Sequence, residues 1–93
     1  MSAEPVETIA RVMNLAGIHA RPAAQLVKLA SCFRCEIEVG KDGLMVNAKS
    51  IMGVMMLAAE HGSDLHIRCR GADASDACEA LAALVASGFE EEM

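Results

Sequence analysis

Aromatic residues and positive charge are both scarce in this sequence of 93 residues. It has no Trp, no Tyr and two Phe, and its eight Lys and Arg residues are outnumbered by 13 Asp and Glu, so the formal net charge is −5 at pH 7. Nucleic-acid surfaces need clustered positive charge or aromatic side chains that stack on bases. We therefore expect no nucleic-acid partner.

Long apolar segments are also lacking. No run without a charged residue exceeds about ten residues, whereas a membrane helix needs ~20. The first residues, Met-Ser-Ala-Glu-Pro-Val-Glu, are acidic and contain no apolar core of a secretory signal. We expect a cytoplasmic protein without membrane insertion, built as one domain over residues 1–93 with room for a single core.

Cysteines are few, and their spacing does not favour a metal or redox site. Cys32 and Cys35 form a C-x-x-C pair, but Cys69 and Cys78 are too far apart to supply the second close pair of a zinc site. A redox pair is typically found at a helix N-terminus, and this pair lies at the end of a predicted helix. We expect free and mostly buried thiols, no metal and no cofactor.

The motif Gly-Ile-His-Ala-Arg-Pro-Ala-Ala at residues 17–24 is the main candidate site. Pro22 is tolerated in a first helical turn, because the N–H that it lacks has no partner there. His19 is therefore expected at or next to the N-cap of a helix. The free N–H groups of Ala20 and Arg21, the helix dipole and the Arg21 guanidinium favour a bound anion. This pattern predicts a histidine that accepts a phosphoryl group.

Apolar periodicity predicts seven elements in the order β-α-β-β-α-β-α. Helical spacing is clearest after His19, and strict alternation is clearest over 65–70. Asp42-Gly43 favours a hairpin turn, Asp73 is expected to cap the last helix with Asp76 in its first turn, and Gly88 is expected to end it. The strands span about 6–13, 36–40, 44–48 and 65–70, the helices about 20–30, 51–57 and 74–87, and an acidic tail, 90–93, is expected to fray.

The segment Asn-Ala-Lys-Ser-Ile-Met-Gly-Val-Met at 47–55 opens the second helix, and Ser50 is its predicted N-cap. Val54 and Leu57 are assigned to the core. A helix of about two turns cannot bury every large apolar residue, so some of the others must be exposed. Exposed Met side chains form an adaptable surface for several partners. We expect a docking surface formed by Ile51, Met52, Met55 and Met56.

These two motifs, in this order, resemble the histidine-containing phosphocarrier (HPr) family of the bacterial phosphoenolpyruvate-dependent phosphotransferase system. The resemblance runs from about Val6 to Ala86. It implies an α+β, open-faced β-sandwich: a four-stranded antiparallel sheet with three helices on one face. It also implies a carrier in place of an enzyme, with a phosphohistidine on Nδ1 of His19 and with Arg21 as the active-centre arginine.

The resemblance further implies the partners. Enzyme I, phosphorylated by phosphoenolpyruvate, supplies the phosphoryl group, and the A component of a sugar permease or a regulatory homologue accepts it. Ser50 matches the serine that an HPr kinase/phosphorylase modifies in many bacteria. The motifs leave open a regulatory role, in a nitrogen-related branch or as a cofactor of transcription factors, in place of sugar uptake. We expect a monomer.

Two positions depart from the family pattern. Ala16 stands where some members carry an asparagine near the active histidine, and Ala20 where others carry a hydroxyl residue. Side-chain contacts to the phosphoryl group are therefore expected to be fewer. His61 and His66 match no catalytic position of the family and are expected at the surface.

Overall fold

The computed structural model describes residues 4–93, so the first three residues of the acidic start lie outside it. The elements follow the expected order, with one short 3₁₀ helix added after the last α-helix. They are β1 (Val6–Arg11), α1 (Ala20–Ala30), β2 (Glu36–Lys41), β3 (Leu44–Asn47), α2 (Ile51–Met56), β4 (Asp64–Arg70), α3 (Ala74–Ala86) and the 3₁₀ helix Gly88–Glu90.

The strands form one antiparallel sheet in the order β1-β4-β2-β3. Alternation in β4 gives the sheet one dry face, because Leu65, Ile67 and Cys69 are all fully buried while their neighbours along the strand are not. The three helices cover that face, and the other face is open. The expected α+β open-faced sandwich is confirmed.

The β2–β3 hairpin has the two-residue turn that its sequence favours. Lys41 pairs with Leu44, and between them Asp42 and Gly43 adopt φ values of 52° and 87°. Two successive residues with positive φ match the right-handed twist of the flanking strands.

The expected bounds are right for α1 and differ by one or two residues elsewhere. β1 ends at Arg11 because the next residue, Val12, bonds to the turn before β4: its N–H donates to the Ser63 carbonyl over 2.9 Å. β2 and β4 are each one residue longer than expected, and β3, α2 and α3 are each one residue shorter. Such differences are usual where an element frays into its cap.

Asp73 occupies the N-cap of α3, but the expected side-chain cap is absent. Its carboxylate accepts hydrogen bonds from the backbone N–H groups of Arg34 and Cys35, each over 2.9 Å. The bond from Arg34 is the largest cause of a lowered pKa of Asp73. The Asp73 side chain therefore connects the residues before β2 to the start of α3. The distant N–H groups of Arg34 and Cys35 take the place of the local N–H groups of α3 as its hydrogen-bond donors.

The expectation that the acidic tail, 90–93, is frayed is wrong for its three Glu residues: Glu90 lies in the 3₁₀ helix, and the backbones of Glu91 and Glu92 make hydrogen bonds. Gly88 ends α3 with φ 73°, as expected, but Phe89 then turns inward and is 1% exposed. Burial of a large aromatic side chain offsets the cost of its own positive φ of 56°. The residues that follow are consequently held against the loop before α1, where the Leu15 N–H donates to the Glu92 carbonyl over 2.9 Å.

Between residues 4 and 93, no helix combines the length and the apolar composition that crossing a bilayer requires.

Candidate functional site

His19 is the N-cap residue of α1, with φ −87° and ψ −165°. Its side chain makes no capping bond to the helix and is 46% exposed. The ring is therefore accessible to another protein at the N-terminal end of a helix, the position that the motif around Pro22 predicts.

The loop before His19 is fixed by contacts with the segment after α2. The Ile18 N–H donates to the Ala59 carbonyl over 2.8 Å, and the Ile18 side chain is buried. Gly17 has a φ of 71°, and a Cβ at this position would lie 2.7 Å from the same carbonyl oxygen. Only glycine fits such a close approach in this conformation, so Gly17 sets the direction in which the chain enters α1.

Two backbone N–H groups lie directly after His19 and have no intrahelical partner. The first intrahelical bond is donated by Ala23 to the His19 carbonyl over 3.0 Å, and Pro22 has no N–H. This leaves the N–H groups of Ala20 and Arg21 at the positive end of the helix dipole. The Arg21 side chain is exposed and makes no hydrogen bond or ion pair with any residue from 4 to 93. These groups can bind an anion beside the His19 ring.

Sequence reasoning missed Glu91. Its two carboxylate oxygens both lie 3.1 Å from the Nε2 atom of His19, although the residues are 72 positions apart. The Glu91 side chain is only 15% exposed, because it packs between the ring and Asn14. The run of three Glu at 90–92 was the only signal in the sequence, and it does not indicate which one turns inward.

The surroundings of Glu91 favour the ionised form of its carboxyl group. The hydrogen bond with His19 is the largest cause that holds the pKa of Glu91 below its ordinary value, and the bond from Asn14 and the charge of Arg21 act in the same direction. An ionised carboxylate only accepts hydrogen bonds, so the bonded Nε2 carries a proton. Whenever the ring is neutral, its lone pair therefore lies on Nδ1.

The two departures from the family pattern are both exposed alanines. Ala16 lies in the loop before His19, and Ala20 is the first residue of α1. Neither offers a polar side chain to an anion at the ring, which leaves the backbone N–H groups and Arg21 as the candidate ligands there.

The second helix exposes the four residues that its short length led us to expect at the surface, while Val54 and Leu57 are buried as expected. The exposed fraction is 74% for Met52 and 68% for Met56. We call the set Ile51, Met52, Met55 and Met56 the α2 surface. Leu15, which sequence reasoning left out, is 55% exposed in the loop that presents His19.

Ser50 caps α2 as expected: its Oγ accepts a hydrogen bond from the Gly53 N–H over 3.2 Å. Gly53 has little room for a side chain, since a Cβ there would lie 3.3 Å from the Asn47 carbonyl oxygen. The serine is partly exposed beside the α2 surface.

The remaining candidate ligands and histidines lie apart. Cys32 is exposed and the other three cysteines are buried as free thiols. Burial is the main cause that raises the pKa of Cys69 to about 12, which disfavours the reactive thiolate. In the described part of the chain no three His, Cys, Asp or Glu side chains are grouped to hold a metal ion. His61 is exposed, and the half-buried His66 contacts Glu7 over 2.7 Å on the open face.

The fold and the site define a class: a small α+β domain with an exposed histidine at the N-terminus of a helix whose first N–H groups are free. The model of one family, described as the PTS HPr component phosphorylation site, matches residues 6–87. This match includes both motifs and almost the whole described chain. The chain belongs to the HPr family of the phosphotransferase system, and its relatives are phosphocarrier proteins.

Relatives and solved structures agree with this family. The chain is 49% identical over 87 residues to the phosphocarrier protein HPr of Treponema pallidum, covering 94% of this chain and 98% of that one. The crystal structure of HPr-C-His from Thermoanaerobacter tengcongensis superposes with a TM-score of 0.90 at 43% identity, covering 95% and 99% of the two chains. The crystal structure of a phosphocarrier protein HPr from Bacillus anthracis superposes with a TM-score of 0.84 at 48% identity, covering 87% of this chain and 96% of that one.

Proposed function

We propose that His19 receives a phosphoryl group on Nδ1 from phosphorylated Enzyme I and passes it to the A component of a sugar permease. In this role the protein works as a monomer in the cytoplasm. One observation carries the proposal: the His19 ring is 46% exposed at the N-cap of α1, uncommitted to capping, in front of two free N–H groups.

The surroundings of the His19 ring are consistent with a phosphoryl group that is bound only for a short time. The N–H groups of Ala20 and Arg21 and the Arg21 guanidinium offset the negative charge of an arriving phosphoryl group. The site is open, so an attacking and a leaving group can approach phosphorus in line from solvent. A deep pocket would bind the phosphoryl group too tightly for a carrier.

The α2 surface is proposed to dock the partners. Its side chains are apolar, flexible and exposed, and Met adapts to partners of different shape. The helices α1 and α2 are in contact, so the α2 surface lies on a neighbour of the helix that begins at His19. Enzyme I and the A component of the permease would bind to this surface one after the other.

Ser50 is proposed as a regulatory phosphorylation site for an HPr kinase/phosphorylase. A phosphoryl group there would add about two negative charges beside the α2 surface. We infer that the modification weakens docking through charge and leaves the fold intact, because Ser50 lies at the positive end of its helix.

The test is transfer of a labelled phosphoryl group from phosphoenolpyruvate through Enzyme I. The parent protein is expected to acquire an acid-labile label, and His19→Ala is expected to acquire none. His61→Ala is the matched control, because His61 is an exposed histidine outside the site, and it should label like the parent. Full labelling of His19→Ala would refute the proposal.

A further inference from the structure

A chain of hydrogen bonds connects the interior of the protein to the His19 ring. Asn14 is fully buried, and its side-chain N–H₂ group donates to the Gly17 carbonyl over 2.7 Å and to Glu91 Oε1 over 3.0 Å. The two Glu91 oxygens in turn lie 3.1 Å from His19 Nε2. Asn14 thus holds both the loop that presents the histidine and the carboxylate that contacts it.

The position of Glu91 is set by its neighbours along the chain. Phe89 is buried two residues earlier, and the backbone of the next residue, Glu92, accepts the bond from Leu15. Its neighbours Glu90 and Glu92 are exposed, while the Glu91 side chain is 15% exposed. Only one acid of the tail is therefore directed into the site, and it is anchored on both sides.

We propose that Glu91 is a positioning residue for phosphoryl transfer: it keeps the proton on Nε2 and balances the positive charge that the His19 ring gains when Nδ1 is phosphorylated. The inference rests on the proposed function. Nothing in the sequence motif around His19 includes this residue, because it is supplied by the other end of the chain.

The transfer step balances with this arrangement. The Nδ1 lone pair forms the new bond to phosphorus, while the bond from phosphorus to the donor atom breaks and its electron pair leaves with the donor. The ring keeps its Nε2 proton and so becomes a positively charged phosphoimidazolium. The Glu91 carboxylate accepts the hydrogen bond from Nε2–H, and this bond joins two unlike charges once the ring has become positive.

The reverse step uses the same contact. When the phosphoryl group moves on, the electron pair of the breaking N–P bond returns to Nδ1 and neutralises the ring. A ring that has kept its Nε2 proton is the better leaving group, because the departing nitrogen ends as a neutral imidazole and not as an anion. Glu91 thus favours both uptake and release.

The test compares Glu91→Gln with Glu90→Gln. The control removes the same charge from the same tail, but at an exposed side chain that does not contact His19. Phosphoryl transfer from Enzyme I to Glu91→Gln is expected to slow about tenfold, since charge-assisted hydrogen bonds are roughly twice as strong as neutral ones. Glu90→Gln is expected to match the parent.

Spontaneous hydrolysis of the isolated phosphoprotein is the second readout. The protonated phosphoimidazolium is the labile form, so Glu91→Gln is expected to hydrolyse several-fold more slowly at neutral pH. Loss of a merely structural contact would loosen the tail and leave hydrolysis unchanged or faster. Transfer and hydrolysis rates equal to those of the parent, or faster hydrolysis, would overturn the inference.

The proposed function and this inference fail in different ways. If neither the parent nor Glu91→Gln is labelled on His19, the proposed function is wrong. If both are labelled there at the same rate, only the role of Glu91 is wrong. Circular dichroism of each variant checks the fold, and Glu91→Asp, which keeps the charge on a shorter side chain, should transfer faster than Glu91→Gln.

Discussion

The Nε2 atom of His19 lies 3.1 Å from each carboxylate oxygen of Glu91, so the N-cap of α1 is in direct contact with the segment that follows α3. The contact has a consequence for the titration of Glu91. Its pKa is lowered below 4.5, first by the hydrogen bond with His19 and then by the bond from Asn14. A lowered pKa in the folded state adds stability above the unfolded pKa, and that stability is lost as the pH falls through the folded value.

His19→Ala removes the hydrogen bond that is the largest cause of the lowered pKa of Glu91, so this pKa is expected to rise in the variant. Carboxyl chemical shifts, followed by NMR between neutral and acidic pH, measure the change. The same experiment on His61→Ala should leave the Glu91 titration as in the parent. An unchanged titration in His19→Ala would show that the two side chains are not in contact in solution.

Arg21 is expected to contribute its charge to the transfer step. Arg21→Gln should slow transfer from Enzyme I by about 10- to 100-fold, the effect of losing a hydrogen bond from a charged group. Arg34→Gln is the control, since Arg34 is exposed beyond the opposite end of α1. Stopped-flow or quench-flow transfer rates decide the matter, and equal rates for the two variants would exclude Arg21 from the site.

The α2 surface is tested by adding charge to it. Met52→Glu and Met55→Glu are expected to slow transfer about tenfold with little change in stability, because both side chains are exposed and a buried interface tolerates an unpaired carboxylate poorly. Ile9→Glu makes the same change on the open face of the sheet, where Ile9 is 65% exposed. If Ile9→Glu slows phosphoryl transfer as much as the two Met variants do, the docking surface lies elsewhere.

Ser50 has a structural and a proposed regulatory role, which two variants separate. Ser50→Ala removes the bond to the Gly53 N–H and is expected to lower the free energy of unfolding by about 1 kcal/mol while transfer stays near that of the parent. Ser50→Asp keeps a capping oxygen and adds charge, so it should be stable and slow in transfer. Denaturant unfolding and transfer rates together test this, and normal transfer by Ser50→Asp speaks against regulation by charge.

The parts of the fold that follow local rules were predictable. The 3.6-residue spacing and Pro22 fix both ends of α1, Asp42-Gly43 fixes the hairpin turn, and strict alternation identifies β4. His19 and its two free N–H groups were predictable for the same reason, because one short segment contains the whole arrangement.

The parts that depend on distant partners were not predictable. Asp73 has the sequence context of a helix cap, yet the N–H groups of Arg34 and Cys35 take its carboxylate. The inward turn at Phe89 requires a positive φ at an aromatic residue, which local preference argues against. Glu91 reaches the site only because of that turn, so the tail in the sequence gave no sign of its role.

Nuclear magnetic resonance of the protein phosphorylated by Enzyme I and phosphoenolpyruvate tests the central proposal most directly, through the scalar coupling between phosphorus and the imidazole nitrogens. The account predicts a single phosphorus signal coupled to Nδ1 of His19. It also predicts that the proton stays on Nε2 and is hydrogen-bonded to the Glu91 carboxylate. Coupling to Nε2 of His19, or to a nitrogen of His61 or His66, would contradict it.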